Sequence, residues 1–354
     1  MLEATVLLRN MIQKDPGKIV GPISEFIGFF LNHIYNIVVS LMGSDTYALG
    51  ISIIVLTIFV RFLMLPLAVK SQKSMMAMQK LQPEMEKIKA KYGDSKDPET
   101  QQKMSAEIQQ LYAKNKANPL SGCLPLFIQF PIFMAMYYIM NQPYKFIPAL
   151  KNIYLNLADK VLAIPGYAEN YVGLIYDITL PKIPKGMPDL SLLEREDLVR
   201  IFNKFVESDW NSFLSGIPGE FVGGVQSILD HKLMVEQLFS IRLTENTGLY
   251  WPAIIIPAVS VLTTFLSSYL SNKQSKSTDP NMVMQQRMMM IVMPIMMGVI
   301  TIGIPGGVGL YWITSNIFQV IQQLILQGIT KDKLNSEDPE KQPVKAVNQK
   351  KSKG

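Results

Sequence analysis

The sequence predicts an all-α polytopic membrane protein with five transmembrane helices. Three observations lead there. Only 18% of the 354 residues are charged while 48% are hydrophobic, and the mean hydropathy is +0.18; a soluble domain carries about a quarter charged residues. Several apolar runs reach the ~17–25 residues that a ~30 Å hydrocarbon core requires. The segments between those runs alternate in their content of Lys and Arg.

The N-terminal segment, 1–50, contains an apolar stretch of a particular kind at 22–42. Ile23, Phe26, Ile27, Phe30, Ile34, Ile37, Val38 and Leu41 recur at helical spacing, with Ser24, Glu25, Asn32, His33, Asn36 and Ser40 mostly elsewhere. This predicts an amphipathic helix lying in the membrane–water interface. The rival reading is a sixth span or a signal anchor. No small-residue cleavage site follows, and the N-terminus is not a transit peptide rich in Arg and Ser.

The five spans follow in order. The first is 51–69 (ISIIVLTIFVRFLMLPLAV). The second lies within 120–143, with its apolar run at 124–140, and the third is 251–270. A block from Met288 to about Gln327 contains Ile304-Pro305-Gly306-Gly307, a turn signal that divides it into 288–304 and 308–327. Short spans thin the bilayer locally or sit deep in a bundle.

Charge sets the expected orientation. Segment 70–119 is net +4, loop 271–287 net +2 and tail 328–354 net +3, whereas 141–250 is net −3. The three basic segments, and with them the C-terminus, are expected in the cytosol, and the N-terminus and 144–250 outside. With no organelle transit peptide, the bacterial plasma membrane is the expected location.

Segment 70–119 predicts a cytosolic helical hairpin. Met78, Leu81, Met85, Ile88 and Tyr92 form a heptad-like stripe, and Gly93 can end that helix in a left-handed conformation. Asp97-Pro98-Glu99 opens a second helix, with Met104, Ile108, Leu111 and Tyr112 on one face. The hairpin is either a solvated element or a docking arm for chains and partner proteins, its soft side chains Met75, Met76, Met78 and Met85 suiting the second role. Segment 144–250 is expected to be α-rich. Its Pro-rich stretch 181–188 breaks it, 190–210 reads as an amphipathic helix and 219–242 as one or two more. In the basic tail, predicted to be disordered, Lys350, Lys351 and Lys353 could touch anionic lipid or ribosomal RNA, or simply hold the tail inside.

The residue that asks for a function is Arg61, the one charged residue in 51–69. It lies about nine residues from Lys70, roughly 13 Å of helix, which is beyond easy snorkelling. An Arg at mid-span costs about 2.5–3.5 kcal/mol on insertion scales and ordinarily faces a bundle interior or a water-filled cavity. No Asp or Glu lies within the five runs. Gln129, Thr263, Thr264, Ser267, Ser268, Thr314, Ser315, Asn316 and Gln319 are polar candidates to serve it, although Ser and Thr also join helices without further function. A hydrated, unpaired positive site suits a negative or polar guest.

These residues carry a resemblance. The stretch SGCLPLFIQFPIFMAMYY (121–138), with Gly122, Cys123, Pro125, Gln129 and Pro131, is similar to the second-span signature of the YidC/Oxa/Alb membrane protein insertases. VRFLMLPLAVKSQKSM (60–75), with Arg61 and Pro66, resembles their first span; GVGLYWITSNIFQVIQQ (307–323), with Tyr311, Trp312, Asn316 and Gln322, resembles their last. The resemblance covers nearly all of 20–143 and 238–327 and is closest in type to Gram-positive members. It implies five helices around a hydrophilic groove open to cytosol and lipid, with Arg61 central and the hairpin as a flexible cover. It also implies a function: accepting hydrophilic segments of nascent membrane proteins and releasing apolar ones into lipid, alone or with the Sec translocon. The implied partners are the ribosome, signal-recognition components, the Sec translocon and membrane lipid. Two departures stand out: Ser267-Ser268 where many relatives carry Gln, and a 144–250 segment longer than the outer loop of many members.

No cofactor, metal site or enzymatic activity is expected. There is one Cys, two His and no Walker loop. A membrane-embedded enzyme would need a nucleophile–base or paired-acid constellation. The alternative from a different class is a small-solute or anion transporter, for which Arg61 would be an anion site; such proteins often show inverted repeats, and the two halves here show none.

Overall fold

Long apolar helices separated by Gly- and Pro-containing turns leave the chain few choices besides a helical bundle. The computed structural model describes residues 17–93, 97–115, 124–179, 194–272, 284 and 287–337. Cys123, Gly122, the Pro-rich 181–188, most of loop 271–287 and the tail lysines Lys350, Lys351 and Lys353 lie outside these residues, as do the side chains of Met75, Met76 and Pro125.

Helices α1 (Gly17–Met42), α2 (Ala48–Lys80), α5 (Leu124–Asn141), α11 (Ile255–Asn272), α12 (Met293–Ile302) and α13 (Gly306–Glu337) form the bundle. By length and composition, 17–42 and 48–74 are apolar enough to cross a membrane, and 127–141, 255–271 and 288–302 are shorter apolar helices. A π-helical turn, Met288–Val292, leads into α12. The main core joins Leu31 and Tyr35 of α1, Leu49, Ile53 and Leu56 of α2, Met136, Ile139 and Met140 of α5, and Val308 of α13.

Helix α1 departs from the expected single stripe. Ile27 and Val38 are buried, together with Leu31 and Tyr35, but Phe26, Ile37 and Leu41 point outward. The helix is apolar on two sides, so its hydrophobic pattern alone did not fix which side meets the protein.

The cytosol-assigned hairpin also begins differently. Helix α2 runs without interruption through Pro66 to Lys80, so the first span and the first eleven residues of 70–119 are one rod. The hairpin proper is α3 (Gln82–Tyr92) and α4 (Pro98–Lys114). Leu81 and Met85 are buried; Met78, Ile88 and Tyr92 are half-buried. The Tyr112 hydroxyl lies 3.0 Å from the Met85 sulfur. Asp97 caps α4 as its sequence predicts, accepting from the Thr100 backbone N–H at 2.9 Å. Gly93 ends α3 at φ 59°, ψ −162°, which is not the left-handed helical conformation but is also open chiefly to glycine.

Glu107 clasps the two arms, accepting from Lys91 Nζ at 2.9 Å and from the Tyr92 hydroxyl at 2.8 Å. These bonds, the one from Lys91 first, hold its carboxyl below the usual glutamate range. A depressed folded-state pKa gives a contribution that is full above the unfolded value and is lost as pH falls through the folded one. Spin labels at the exposed positions Lys87 and Gln102 should therefore show a narrow distance distribution at neutral pH that broadens below the ordinary carboxylate range.

Residues 144–250 make a second helical unit: α6 (Pro148–Leu162), α7 (Val172–Thr179), α8 (Arg195–Phe202), α9 (Glu207–Gly216) and α10 (Gly219–Glu236). Its own core packs Phe202, Phe205, Trp210 and Phe213 against Tyr154, Leu157 and Val161. The helix expected over 190–210 is broken at 203–206, because Asp209 turns back to accept from the Val206 N–H at 2.9 Å and starts α9 there. Over 219–242 there is one helix, followed by a two-residue-strand hairpin, β1 (Gln237–Leu238) and β2 (Ile241–Arg242), in antiparallel register.

The second unit meets the bundle where α13 begins. Gly306 N–H donates to Glu245 O and Gly307 N–H to Leu243 O, at 2.9 and 2.8 Å. A Cβ on Gly306 would stand 2.6 Å from the Arg242 carbonyl oxygen. That neighbour is backbone and cannot swing aside, so Gly306→Ala should lower unfolding stability in detergent by about 1–3 kcal/mol.

Candidate functional site

Helix α13 organises the polar residues. Tyr311 and Ser315 are one helical turn apart, as are Trp312 and Asn316, so the two pairs occupy adjacent stripes of one helix. The first stripe meets α2 and α5. Arg61 Nε donates to Ser315 Oγ at 2.7 Å, and Gln129 Nε2 donates to the Tyr311 hydroxyl at 2.6 Å. Ser315 and Tyr311 are buried, while Arg61 is half-buried. Among the described residues no carboxylate forms an ion pair with Arg61. Its charge is held by a neutral hydroxyl and is not cancelled.

The second stripe meets α11. Trp312 Nε1 donates to Thr264 Oγ1 at 3.0 Å, and Asn316 Nδ2 donates to the same oxygen at 2.9 Å. A longer bond runs from Asn316 to Thr263 Oγ1, at 3.3 Å. Thr264 thereby serves as a double acceptor, a role for which its hydroxyl has two lone pairs. Trp312 also sets its ring edge-on to Phe133 of α5, at 5.7 Å.

The expected site residues therefore fall into two connected groups: Arg61, Ser315, Tyr311 and Gln129, and then Thr264, Trp312, Asn316 and Thr263. Ser267 is buried and Ser268 half-buried on α11, in neither group of hydrogen bonds. The Thr314 hydroxyl turns back to the Leu310 carbonyl at 2.8 Å, which is the helix-internal use of a threonine. One further pair escaped the sequence reading: Gln323 Nε2 donates to Ser271 Oγ at 2.7 Å. Its signal was present, since Gln323 lies seven residues beyond Asn316 and Ser271 seven beyond Thr264, two turns along each helix. No cluster of three or more His, Cys, Asp or Glu residues able to hold a metal occurs among the described residues.

Comparison with known proteins bears on this arrangement. The family described as 60Kd inner membrane protein matches residues 41–180 and 201–333. The membrane protein insertase YidC of Oceanobacillus iheyensis is 30% identical over 293 residues, spanning 82% of this chain and 79% of its own. The chain belongs to the YidC/Oxa family of membrane protein insertases. Similarity of the same order extends to the insertase YidC of Alkalihalophilus pseudofirmus, 28% identical over 83% of this chain and 79% of its own. Membrane protein insertase MisCA of Bacillus subtilis is 28% identical over 88% and 78%.

As a YidC/Oxa family member the chain is a multi-pass membrane protein, and proteins of this family are not enzymes. All the hydrogen-bonded groups described above fall inside the matched stretches. So does most of 144–250, of which the family match leaves out only 181–200.

Proposed function

We propose that this insertase accepts hydrophilic segments of nascent membrane proteins in a positively charged groove around Arg61 and releases their apolar segments into lipid. The observation that carries the reading is the Arg61–Ser315 contact: a half-buried guanidinium on a long apolar helix, held by a hydroxyl and without a carboxylate among the described residues. A positive group so held can attract an acidic or polar tail at modest cost, because no ion pair has to be broken first. At an effective dielectric near 20, a charge pair at ~4 Å carries roughly 4 kcal/mol of Coulomb energy before desolvation.

In this reading the five spans are α2, α5, α11, α12 with its preceding π turn, and α13. The polar bonds between α11 and α13 hold those two helices together beside the Arg61 site. The C-terminus and the α3–α4 hairpin face the cytosol; the N-terminus and 144–250 lie outside, with α1 at the interface. The hairpin, with Met78 and Met85, covers the groove mouth and, together with the basic tail, meets the ribosome and signal-recognition components. Insertion proceeds alone or with the Sec translocon. No bond is made or broken in the substrate.

The test is reconstitution in liposomes lacking every Sec component. A small single-span protein with a short acidic outer tail is synthesised in their presence, and the tail is scored for protection from protease. Protection above that in empty liposomes is expected. No protection from folded, correctly oriented protein would sink autonomous insertion.

A further inference from the structure

The β1–β2 hairpin carries a local conflict between its sequence and its backbone. Its two turn residues, Phe239 and Ser240, have φ 49° and 63°. Positive φ at both central positions is the geometry of a tight hairpin turn that Asn-Gly ordinarily supplies, and a bulky side chain there is an outlier. Phe239 does not recover the cost by burial, being 79% exposed. An aromatic residue held in an unfavourable backbone conformation with its ring outward asks what the ring meets.

Its position answers. Leu238 packs so closely on the first turn of α2 that a Cβ on Gly50 would stand 3.0 Å from it. Phe239 stacks with Tyr47 at the start of α2, ring centroids 6.4 Å apart. The next segment is tied to the end of α12: Thr247 N–H donates to Ile304 O at 3.1 Å and Gly248 N–H to Ile302 O at 2.9 Å. The chain then presents Leu249, Tyr250 and Trp251, the last 78% exposed, just before α11 begins. These side chains therefore occupy the end of the bundle where α2 and α11 start and α12 stops. Immediately along those helices the surface continues apolar and exposed, at Val55 and Phe59 on α2 and Ile255 and Leu262 on α11.

We propose that the β1–β2 hairpin and the 249–251 loop form an interfacial anchor, which sets Phe239 and Trp251 into the headgroup layer of the bilayer and seats the 144–250 unit on the membrane. The proposal rests on the reading that the bundle spans the membrane. Lipid is the occupant because the patch is continuous with the exposed apolar sides of the helices and lies at their ends, where amphipathic Tyr and Trp rings are favoured. The strained turn leaves the Phe239 ring exposed, stacked with Tyr47 at the start of α2.

The experiment places an environment-sensitive label at Phe239→Cys in the full chain, with Cys123→Ser, in phosphatidylcholine–phosphatidylglycerol vesicles. Labels at Leu63→Cys, on the exposed face of α2, and at Ser215→Cys, exposed on α9, serve as references. The label at 239 should lose roughly half its emission or more to lipid carrying a shallow nitroxide, less to a deep nitroxide, and little to aqueous iodide, as an interfacial depth requires. Deep quenching at 63 tests the spanning reading separately, so the two cannot fail unnoticed together. Quenching at 239 by iodide as strong as at 215 would overturn the anchor. Shielding from both iodide and lipid would also overturn it, in favour of a protein on this surface. A label at Ser240→Cys guards against misfolding: Phe239→Asn relieves the backbone, so the chain should stay folded, while shallow quenching at 240 should fall.

Discussion

Arg61→Ala is expected to reduce insertion of substrates with acidic tails by about tenfold or more, while Arg61→Lys keeps most of it. The size follows from the charge. A tail carboxylate that approaches an uncancelled cation to ~4 Å gains up to roughly 4 kcal/mol at an effective dielectric near 20. About 1.4 kcal/mol surviving desolvation is already tenfold. Lysine keeps the charge but has no Nε–H, so the 2.7 Å bond to Ser315 is lost and the cation is less well placed. Ser315→Ala should accordingly produce a smaller loss than Arg61→Ala, and one that depends less on tail charge. The measurement is protease protection in Sec-free liposomes for tails of graded charge. A neutral-tail substrate should be much less sensitive to Arg61→Ala. If Ala left every tail equally well inserted, the electrostatic account of the groove would be wrong.

Why could Arg61 be found without coordinates when other features could not? A lone charge in a nineteen-residue, largely apolar run is visible because the cost of burying it is large and local. The stripes on α13 follow from helical spacing, which puts Tyr311 with Ser315 and Trp312 with Asn316 on neighbouring faces, although in the sequence reading they stand only as separate candidates. The partner assignments were a different matter. Which hydroxyl holds Arg61 depends on how α2 and α13 pack, and spacing within one helix says nothing about rotation between two. The same limit explains α1: with apolar residues on two sides, the inward choice of Leu31 and Tyr35 over Phe26 and Leu41 is made by α2 and α5. Helix continuity through Lys80 was hidden because the change from apolar to basic at Lys70 alters the solvent preference of the helix but not its backbone. The strained turn at Phe239 and Ser240 contradicts local propensity, and only the tertiary structure reveals it.

Lys232→Met should cost about 3–5 kcal/mol of stability, the range for breaking a buried pair by removing one partner. Lys232 and Glu236 are 4% and 2% exposed, and their charges meet at 3.0 Å. The carboxylate also accepts from the Tyr154 hydroxyl at 3.0 Å and from Thr244 Oγ1 at 2.6 Å, so every oxygen is used. Burial, and then the charge of Glu236, hold the Tyr154 hydroxyl well above its ordinary pKa, so it remains a donor. Methionine in place of lysine would leave a buried anion with two neutral donors. Glu236→Gln alone would strand the ammonium instead. The double variant, Lys232→Met with Glu236→Gln, removes both charges; its amide oxygen keeps an acceptor for one of the two hydroxyls, Tyr154 or Thr244, and its NH2 donates to the other, which turns to accept, so it should recover most of the loss. Thermal unfolding in detergent, run as a double-mutant cycle, reads the coupling. The pair stands where α10 gives way to β1, and the Tyr47 N–H donates to Met234 O only two residues before Glu236. Breaking the pair should therefore raise amide exchange over 232–243 and at the start of α2 before it disturbs α13. If instead all three variants unfolded alike, the network would contribute packing alone, and the join between the 144–250 unit and the bundle would rest on the backbone bonds made by Tyr47, Thr247, Gly248, Gly306 and Gly307.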